Sequence, residues 1–209
     1  MTFLPSMEEE RRMKKDRLIA FMDAVLAIIM TILVLELEKP ESATLEAFFA
    51  LRANFFAYFL SFFWLGSLWM ALNGLWEKVE KISLHVIWLS LLLLFTSSFL
   101  PYATGLVSTN FHSKVMQGFY GLVVIITTVV NWFLHKEIDK PNAGNKELLV
   151  ATERYRKSLI PDIMIKVVGF VLAMIVYPPI MSYSVLIAAA YIILLRRYIV
   201  KEKNAVKEK

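Results

Sequence analysis

The residues best placed to act on an ion lie in one apolar run near the start of the chain. Asp23 is a carboxylate inside the run 18–37, and two further acids, Glu36 and Glu38, stand at its far end. A carboxylate inside such a run is costly to bury, so Asp23 is either a functional residue or an anchor at the interface. Glu36 and Glu38 are either acids that concentrate cations or plain interfacial side chains.

Side chains suited to catalysis or metal binding are sparse. The chain has no cysteine, and its three histidines, His85, His112 and His135, form no metal-binding spacing such as H-E-x-x-H. Its serines lack a G-x-S-x-G elbow, and its seven glycines form neither G-x-x-x-x-G-K nor G-x-G-x-x-G. The sequence therefore predicts a protein that is not an enzyme and holds no cofactor or resident metal.

The composition indicates which solvent surrounds these residues. Of the 209 residues, 58% are hydrophobic and 20% charged, and the mean hydropathy is +0.58. A water-soluble domain of this size has too little interior to bury so many apolar side chains. We therefore predict an all-α integral membrane protein, a single domain over 1–209 that sits in a lipid bilayer. Its six transmembrane helices are expected at 18–37, 55–76, 84–107, 115–134, 163–177 and 184–197.

The last two spans are short, and the prolines between them predict a turn. Pro178 and Pro179 remove two backbone donors and end a helix. The connection 135–161 is the largest polar segment, and from Asn145 onward its apolar stripe favours a helix lying at the membrane interface. Lys166 lies near the start of the fifth span, where its side chain is expected to reach toward the polar interface.

Basic residues predict the orientation of the spans. Nineteen of the 23 Lys and Arg residues lie before the first span, in the second and fourth connections or in the tail, whereas three lie in the opposite connections. Because cytoplasmic segments retain the excess of Lys and Arg, both termini are expected to be cytoplasmic. The net charge of +5 then reflects topology, and no nucleic-acid partner is predicted.

The first span carries one continuous face when its residues are placed on a helix. At 100° per residue, that face lies within about 60° of Ile28 and carries Arg17, Phe21, Ala24, Ile28, Thr31, Ile32 and Leu35. Asp23 falls about 140° away, so the acid and the stripe serve different purposes. An apolar stripe in a membrane helix ordinarily faces lipid or packs on a neighbour.

The start of this helix also resembles a known family. Residues 17–23 read R-x-x-x-F-M-D, and the helix ends in V-L-E at Glu36. This is similar to the R-x-x-x-F-S-D hallmark of the transmembrane protein 175 family of potassium channels, with Met22 in place of the serine and hence one hydroxyl fewer. The segment from Trp88 to Pro101 and Tyr102 looks like the family's third-span pattern. A single six-span repeat is similar to prokaryotic members, which implies a prokaryotic plasma membrane.

The resemblance implies a homotetramer in which four copies of the first helix line a central pore. It implies a potassium-permeable cation leak channel, with other monovalent cations as further candidate permeants. The implied site residues are Ile28, Ile32 and Leu35 for the constriction, Thr31 for cation preference, and Arg17, Phe21 and Asp23 for bracing. A secondary or proton-coupled transporter is the alternative; few charges or Gly and Pro interruptions are expected in mid-span, which favours the channel.

Overall fold

The described part of the chain is entirely helical. The computed structural model describes the backbone of residues 7–207 and the side chains of residues 14–194. Within these limits there are eight α-helices, and a 3₁₀ turn, Leu33–Glu36, extends the first of them. The helices are α1 (Met7–Ile32), α2 (Leu45–Ala50), α3 (Arg52–Trp76), α4 (Leu84–Ser98), α5 (Leu100–Thr109), α6 (Lys114–Asp139), α7 (Lys146–Ile175) and α8 (Ile180–Lys207).

Several of these helices have the length and apolar composition of a membrane crossing. Among the described residues, five such segments occur: Lys14–Glu36, Arg52–Trp76, Leu84–Thr109, Lys114–Asp139 and Lys146–Ile175. The start of α8, Ile180–Leu194, is apolar but shorter. The prediction of an all-helical chain with several apolar helices is confirmed. The predicted turn at Pro178 and Pro179 lies between α7 and α8, where two missing backbone donors prevent one continuous helix.

The third predicted span, 84–107, is not one helix. It is divided at Phe99 into α4 and α5, and Pro101 lies in the first turn of α5. The proline ring has no N–H for the carbonyl one turn earlier and crowds it, so the helix is interrupted there. Two neighbouring hydroxyls bond to the preceding turn, Thr96 Oγ1 to Leu93 O at 3.1 Å and Ser98 Oγ to Phe95 O at 2.7 Å.

The fifth predicted span, 163–177, begins too late. In the structure, α7 starts at Lys146, capped by the side chain of Asn145, and continues without a break through Pro161 to Ile175. The prediction of a separate interfacial helix was therefore wrong. Polar residues fill the first half of α7, so hydropathy alone does not show that the polar and apolar halves form one helix. The packing of α7 on α6 and α8 supports the two halves as one helix.

The helices run alternately between two ends of the bundle. At one end, here the basic end, α3 and α6 finish and α7 begins, and Asn142 ties the α6–α7 connection to Glu80 N and Lys81 N at 3.1 and 2.9 Å. At the opposite end, α1 finishes and α3 begins. Both chain termini lie outside the described residues, as do the side chains of Arg11 and Arg12 and of the basic tail from Arg196 to Lys209.

Candidate functional site

Helix α1 has one buried face and one uncovered face. Its buried face packs on α3 and α4 through Leu18, Met22, Leu26, Ile29 and Leu33, each less than 9% exposed. The uncovered face carries the predicted constriction residues: Ile28 is 57% exposed, Ile32 38% and Leu35 77%. The structure thus places these three side chains together on a surface that no other described residue of the subunit covers.

Thr31 lies on the uncovered face, one turn from Ile28. Its hydroxyl donates to Ile28 O at 2.8 Å, which satisfies the proton within the helix. The lone pairs of the hydroxyl oxygen remain available to coordinate a cation. Thr31 is therefore the polar group next to the predicted constriction.

The motif residues Arg17, Phe21 and Asp23 do not form one cluster. Arg17 and Phe21 are exposed on the uncovered face, whereas Asp23 is half-buried beside α3. Its Oδ1 accepts a hydrogen bond from Trp69 Nε1 at 2.9 Å. Sequence reasoning missed Trp69 as this partner, although an indole N–H on the second span was the available signal. The contact ties the first turns of the apolar part of α1 to α3.

Met22 replaces the hallmark serine with an apolar contact. Its side chain is 1% exposed and belongs to the core formed by α1, α3 and α4. A thioether without branching fills irregular space between helices. The interaction at this position is therefore packing rather than hydrogen bonding.

The two acids at the end of α1 occupy different surroundings. The carboxylate of Glu36 lies against the backbone of Gly105 on α5, so closely that a Cβ added at Gly105 would overlap Glu36 Oε2. Glu38 is exposed. Only Glu38 therefore projects freely at this end of the helix.

Asn54, buried on α3, fastens the same end of α1. Its amide donates to Glu36 O at 3.4 Å and to Ser108 Oγ at 2.9 Å, and accepts from Glu38 N at 3.4 Å. One buried amide thus satisfies backbone groups where the 3₁₀ turn ends. Sequence reasoning did not select Asn54, because its partners lie up to 54 positions away along the chain.

Lys15 contacts the end of α3 from the first half of α1. Its ammonium donates to Trp76 O, in the last residue of α3, at 3.5 Å and to Val79 O, just beyond that helix, at 2.8 Å. The last carbonyls of a helix attract a cation because they lack intrahelical donors. Helix α1 is therefore held at Lys15, beside Trp69 and at the end of its 3₁₀ turn, while its predicted pore face stays uncovered.

The predicted position of the Lys166 side chain was wrong. Lys166 is 1% exposed and donates to Asp162 Oδ2 at 2.6 Å and to Thr128 Oγ1 at 3.0 Å. Thr128 lies eleven residues, about 17 Å, along α6 from its end at Asp139. The expectation of few charges in mid-span is corrected as well. The predicted spans place Asp162 in the preceding connection, because the fifth of them begins only at residue 163, whereas the structure includes Asp162 in α7.

No group of three His, Asp or Glu side chains able to hold a metal ion occurs between residues 14 and 194. The residues of the predicted constriction lie instead on the uncovered face of α1. The polar groups of this face include the Arg17 guanidinium, the Thr31 hydroxyl and, beyond the helix end, the Glu38 carboxylate.

Comparison with known proteins finds similarity to potassium channels. Residues 17–101 match the sequence model of a family described as the endosomal/lysosomal potassium channel TMEM175. A potassium channel of Chryseobacterium sp. (strain P1-3) is 35% identical over 136 residues, which are 65% of this chain and 71% of that protein. The region matched by the family model begins at Arg17, inside α1, and extends through α2, α3 and α4 to the start of α5.

A solved structure shows the same fold. The crystal structure of a lysosomal potassium-selective channel TMEM175 homologue from Chamaesiphon minutus superposes with a TM-score of 0.66 at 23% sequence identity. The alignment covers 91% of this chain and 98% of that chain. The helical arrangement described above is therefore shared over nearly the whole length of both chains.

Proposed function

The chain belongs to the TMEM175 potassium channel family, and on that premise we propose that it is a potassium-permeable cation leak channel. Four copies of the chain assemble around a central pore lined by α1. Ile28, Ile32 and Leu35 of each copy form a hydrophobic constriction, and potassium passes as the permeant ion without a cofactor. The family assignment also favours a channel over an enzyme.

The uncovered face of α1 is the observation that supports this proposal. The face is apolar at Ile28, Ile32 and Leu35, and it also exposes the small residues Ala20, Ala24 and Ala27. Small side chains allow the backbones of membrane helices to approach closely. Copies of α1 can therefore pack around one axis, with the branched side chains turned toward it.

The proposed constriction acts by excluding water. A ring of four Ile or Leu side chains leaves a narrow apolar passage, in which a hydrated cation loses its water without replacement ligands. A small outward rotation of α1 widens the ring and allows water to enter. The oxygen of Thr31, one turn from Ile28, then supplies the polar contact that sets a modest cation preference.

The motif and the acids have supporting roles in the proposal. Arg17, Phe21 and Asp23 brace α1, with the Asp23 to Trp69 hydrogen bond as the described contact. Glu38 and, less directly, Glu36 raise the cation concentration at the mouth of the pore by their charge. The packing of Glu36 against Gly105 limits its share of this effect.

The proposed topology has six crossings with both termini in the cytoplasm. The five long apolar segments and the shorter start of α8 supply the crossings. Basic side chains such as Lys15, Lys78 and Lys140 gather at the basic end, which the positive-inside rule assigns to the cytoplasm. We place this single-repeat protein in the plasma membrane of a prokaryote.

Ion flux in proteoliposomes tests the function. Purified protein is reconstituted with a potassium or a sodium gradient, each with and without a proton ionophore, and the membrane potential is recorded. A channel gives passive flux and a potential close to the potassium equilibrium value. Flux that saturates and requires protons or a second solute would instead support the transporter alternative. The mass of the detergent complex, measured separately, is expected to correspond to four subunits.

A further inference from the structure

A small polar pocket lies inside the subunit, away from α1. It is enclosed by α3, α6, α7 and α8 and has a volume of about 30 Å³. Its polar lining consists of Ser67, Thr128, Asn131, Tyr155, Asp162 and Lys166. Because one buried water needs 10–15 Å³ by this measure, the space admits about two water molecules.

Asn131 leaves one polar atom of this pocket without a partner. Its side chain is 2% exposed, and its Nδ2 donates to the Tyr155 hydroxyl at 3.3 Å. Among the described residues, Asn131 Oδ1 has no hydrogen-bond partner. If the amide is turned over, the hydroxyl pairs with Oδ1 and the Nδ2 group is left instead. A buried amide of this kind requires a further hydrogen-bonding group in the pocket.

The neighbouring ion pair does not provide that group. The ammonium of Lys166 points its donors at Asp162 Oδ2 and Thr128 Oγ1, and it lies 5.4 Å from the centre of the Trp64 ring. These three contacts match the three N–H bonds of an ammonium group. The pair is also neutral overall, so the pocket attracts a neutral hydrogen-bonding molecule rather than another ion.

A larger cavity lies between this pocket and the basic end. Its volume is about 240 Å³, and it is bordered by Gly74 on α3, His135 on α6 and Thr152 on α7. Tyr155 lines both cavities, with its ring 4.4 Å from the ring of His135. A Cβ added at Gly74 would meet no atom within 4 Å, so the space beside α3 is open at that point.

We propose that each subunit contains a water-filled side pocket, entered from the basic end past Gly74 and Tyr155. Water bound at Asn131 is its ligand, and the Lys166–Asp162 pair lies beside it. Two charges held near the middle of a membrane are costly without such hydration. The pocket is separate from the proposed pore on α1, and its existence does not depend on potassium conduction.

The absence of cysteine makes the pocket testable by thiol chemistry. Thr128→Cys places a single thiol in the pocket, and Thr127→Cys provides the matched control. Both threonines are buried on α6, and each donates to the carbonyl four residues earlier, at 2.8 Å, but only Thr128 lines the pocket. Ag⁺, a thiol reagent small enough to travel with water, is added to the folded protein in lipid nanodiscs. Thiols left unblocked are then labelled with a maleimide after denaturation and counted by mass spectrometry.

The proposal predicts that Ag⁺ blocks Thr128→Cys at least tenfold faster than Thr127→Cys. Ser67→Cys puts a thiol in the same pocket from α3. If Thr128→Cys does not fold, the rate of Ser67→Cys can still be compared with that of Thr127→Cys. Equal rates for the reporter and control thiols would overturn the proposal.

The route is tested in the Thr128→Cys background by filling the larger cavity. Gly74→Met is expected to slow the reaction with Ag⁺ at least tenfold, because its side chain occupies the passage. Asn73→Met, at an exposed neighbour outside that cavity, is expected to leave the rate unchanged. An unchanged rate in Gly74→Met would show that the pocket is not entered from the basic end and would contradict the proposal.

Discussion

The uncovered face of α1 and the cluster around Lys166 have opposite patterns of burial: the first exposes apolar side chains and the second buries charged ones. On α1, the branched apolar side chains of Ile28, Ile32 and Leu35 lie at the surface of the subunit. In the cluster, the Lys166 ammonium and the Asp162 carboxylate lie in the interior of the subunit, 1% and 3% exposed. They bond to each other, and the ammonium also donates to Thr128. The apolar groups are outside and the charges inside, the reverse of a water-soluble domain.

In a membrane protein, a buried charge says more about the role of a region than an exposed apolar side chain does. Exposed apolar side chains also occur at Ile126 on α6 and Val171 on α7, so exposure does not by itself distinguish a pore from a lipid-facing surface. The hallmark that begins at Arg17 and the family relationship are the grounds on which we propose that the face of α1 lines a pore. Buried charge is different, because it persists only where contacts offset the loss of water.

Breaking the ion pair is expected to have the largest effect. Lys166→Met leaves the Asp162 carboxylate buried without its cation and lowers the free energy of unfolding by about 3–5 kcal/mol. Unfolding in mixed micelles measures the loss. The double variant Lys166→Met with Asp162→Leu is expected to recover most of it.

A matched pair on the same helix provides the control. Lys157 and Glu153 have the same spacing of four residues, with an N–O distance of 2.7 Å, but both are exposed. Lys157→Met is expected to leave the free energy of unfolding nearly unchanged, because exposed pairs contribute little. Equal losses in the two Lys→Met variants would contradict the distinction between the buried and exposed pairs.

Substitution on the uncovered face tests the other region. Ile28→Asn places an amide in the proposed constriction and makes it easier to wet, so passive potassium flux into proteoliposomes is expected to rise at least tenfold. That corresponds to about 1.4 kcal/mol of the barrier. Ile126→Asn, the same change at an exposed isoleucine of α6, is expected to leave the flux unchanged. An Ile28→Asn tetramer with normal flux would refute the proposed pore face.

Loss of the brace between α1 and α3 is expected to have a smaller effect. Trp69→Phe removes the indole N–H that bonds Asp23 and retains a ring, so the free energy of unfolding is expected to fall by about 1 kcal/mol. Trp88→Phe, at an exposed tryptophan of α4, is the control. Asp23→Ala is expected to reproduce the Trp69→Phe loss and to lower the yield of assembled protein. A double variant whose loss equals the sum of the two single losses would argue against the bond.

The smallest effect is expected from the contact of Glu36 with α5. Gly105→Ala displaces the end of the flexible Glu36 side chain, so the free energy of unfolding is expected to change by less than about 0.5 kcal/mol. The freed carboxylate is expected to raise potassium flux less than about twofold at low ionic strength, and not at high ionic strength. Gly74→Ala, where the added methyl meets nothing, is the stability control. A larger loss in Gly105→Ala would mean that Glu36 has a structural role.

Helix periodicity in the sequence predicted the local features of α1. The seven residues assigned to the face around Ile28 are all exposed in the subunit, including Phe21, Thr31 and Leu35. Hydropathy also located the apolar parts of the helices other than the short α2, although it began the fifth span at 163, whereas α7 begins at Lys146, and missed the break at Phe99. The polar first half of α7 has no hydropathy signal that links it to its apolar half.

The sequence by itself determined that this chain is helical, apolar and two-faced in its first span, because these properties depend on side chains three or four positions apart. Only the tertiary structure decided which polar groups meet. Asn54 bonds Ser108 across 54 positions, Asp23 bonds Trp69 across 46, and Lys166 bonds Thr128 across 38. Such partners are set by the register and rotation of packed helices, which the period of a single helix does not contain.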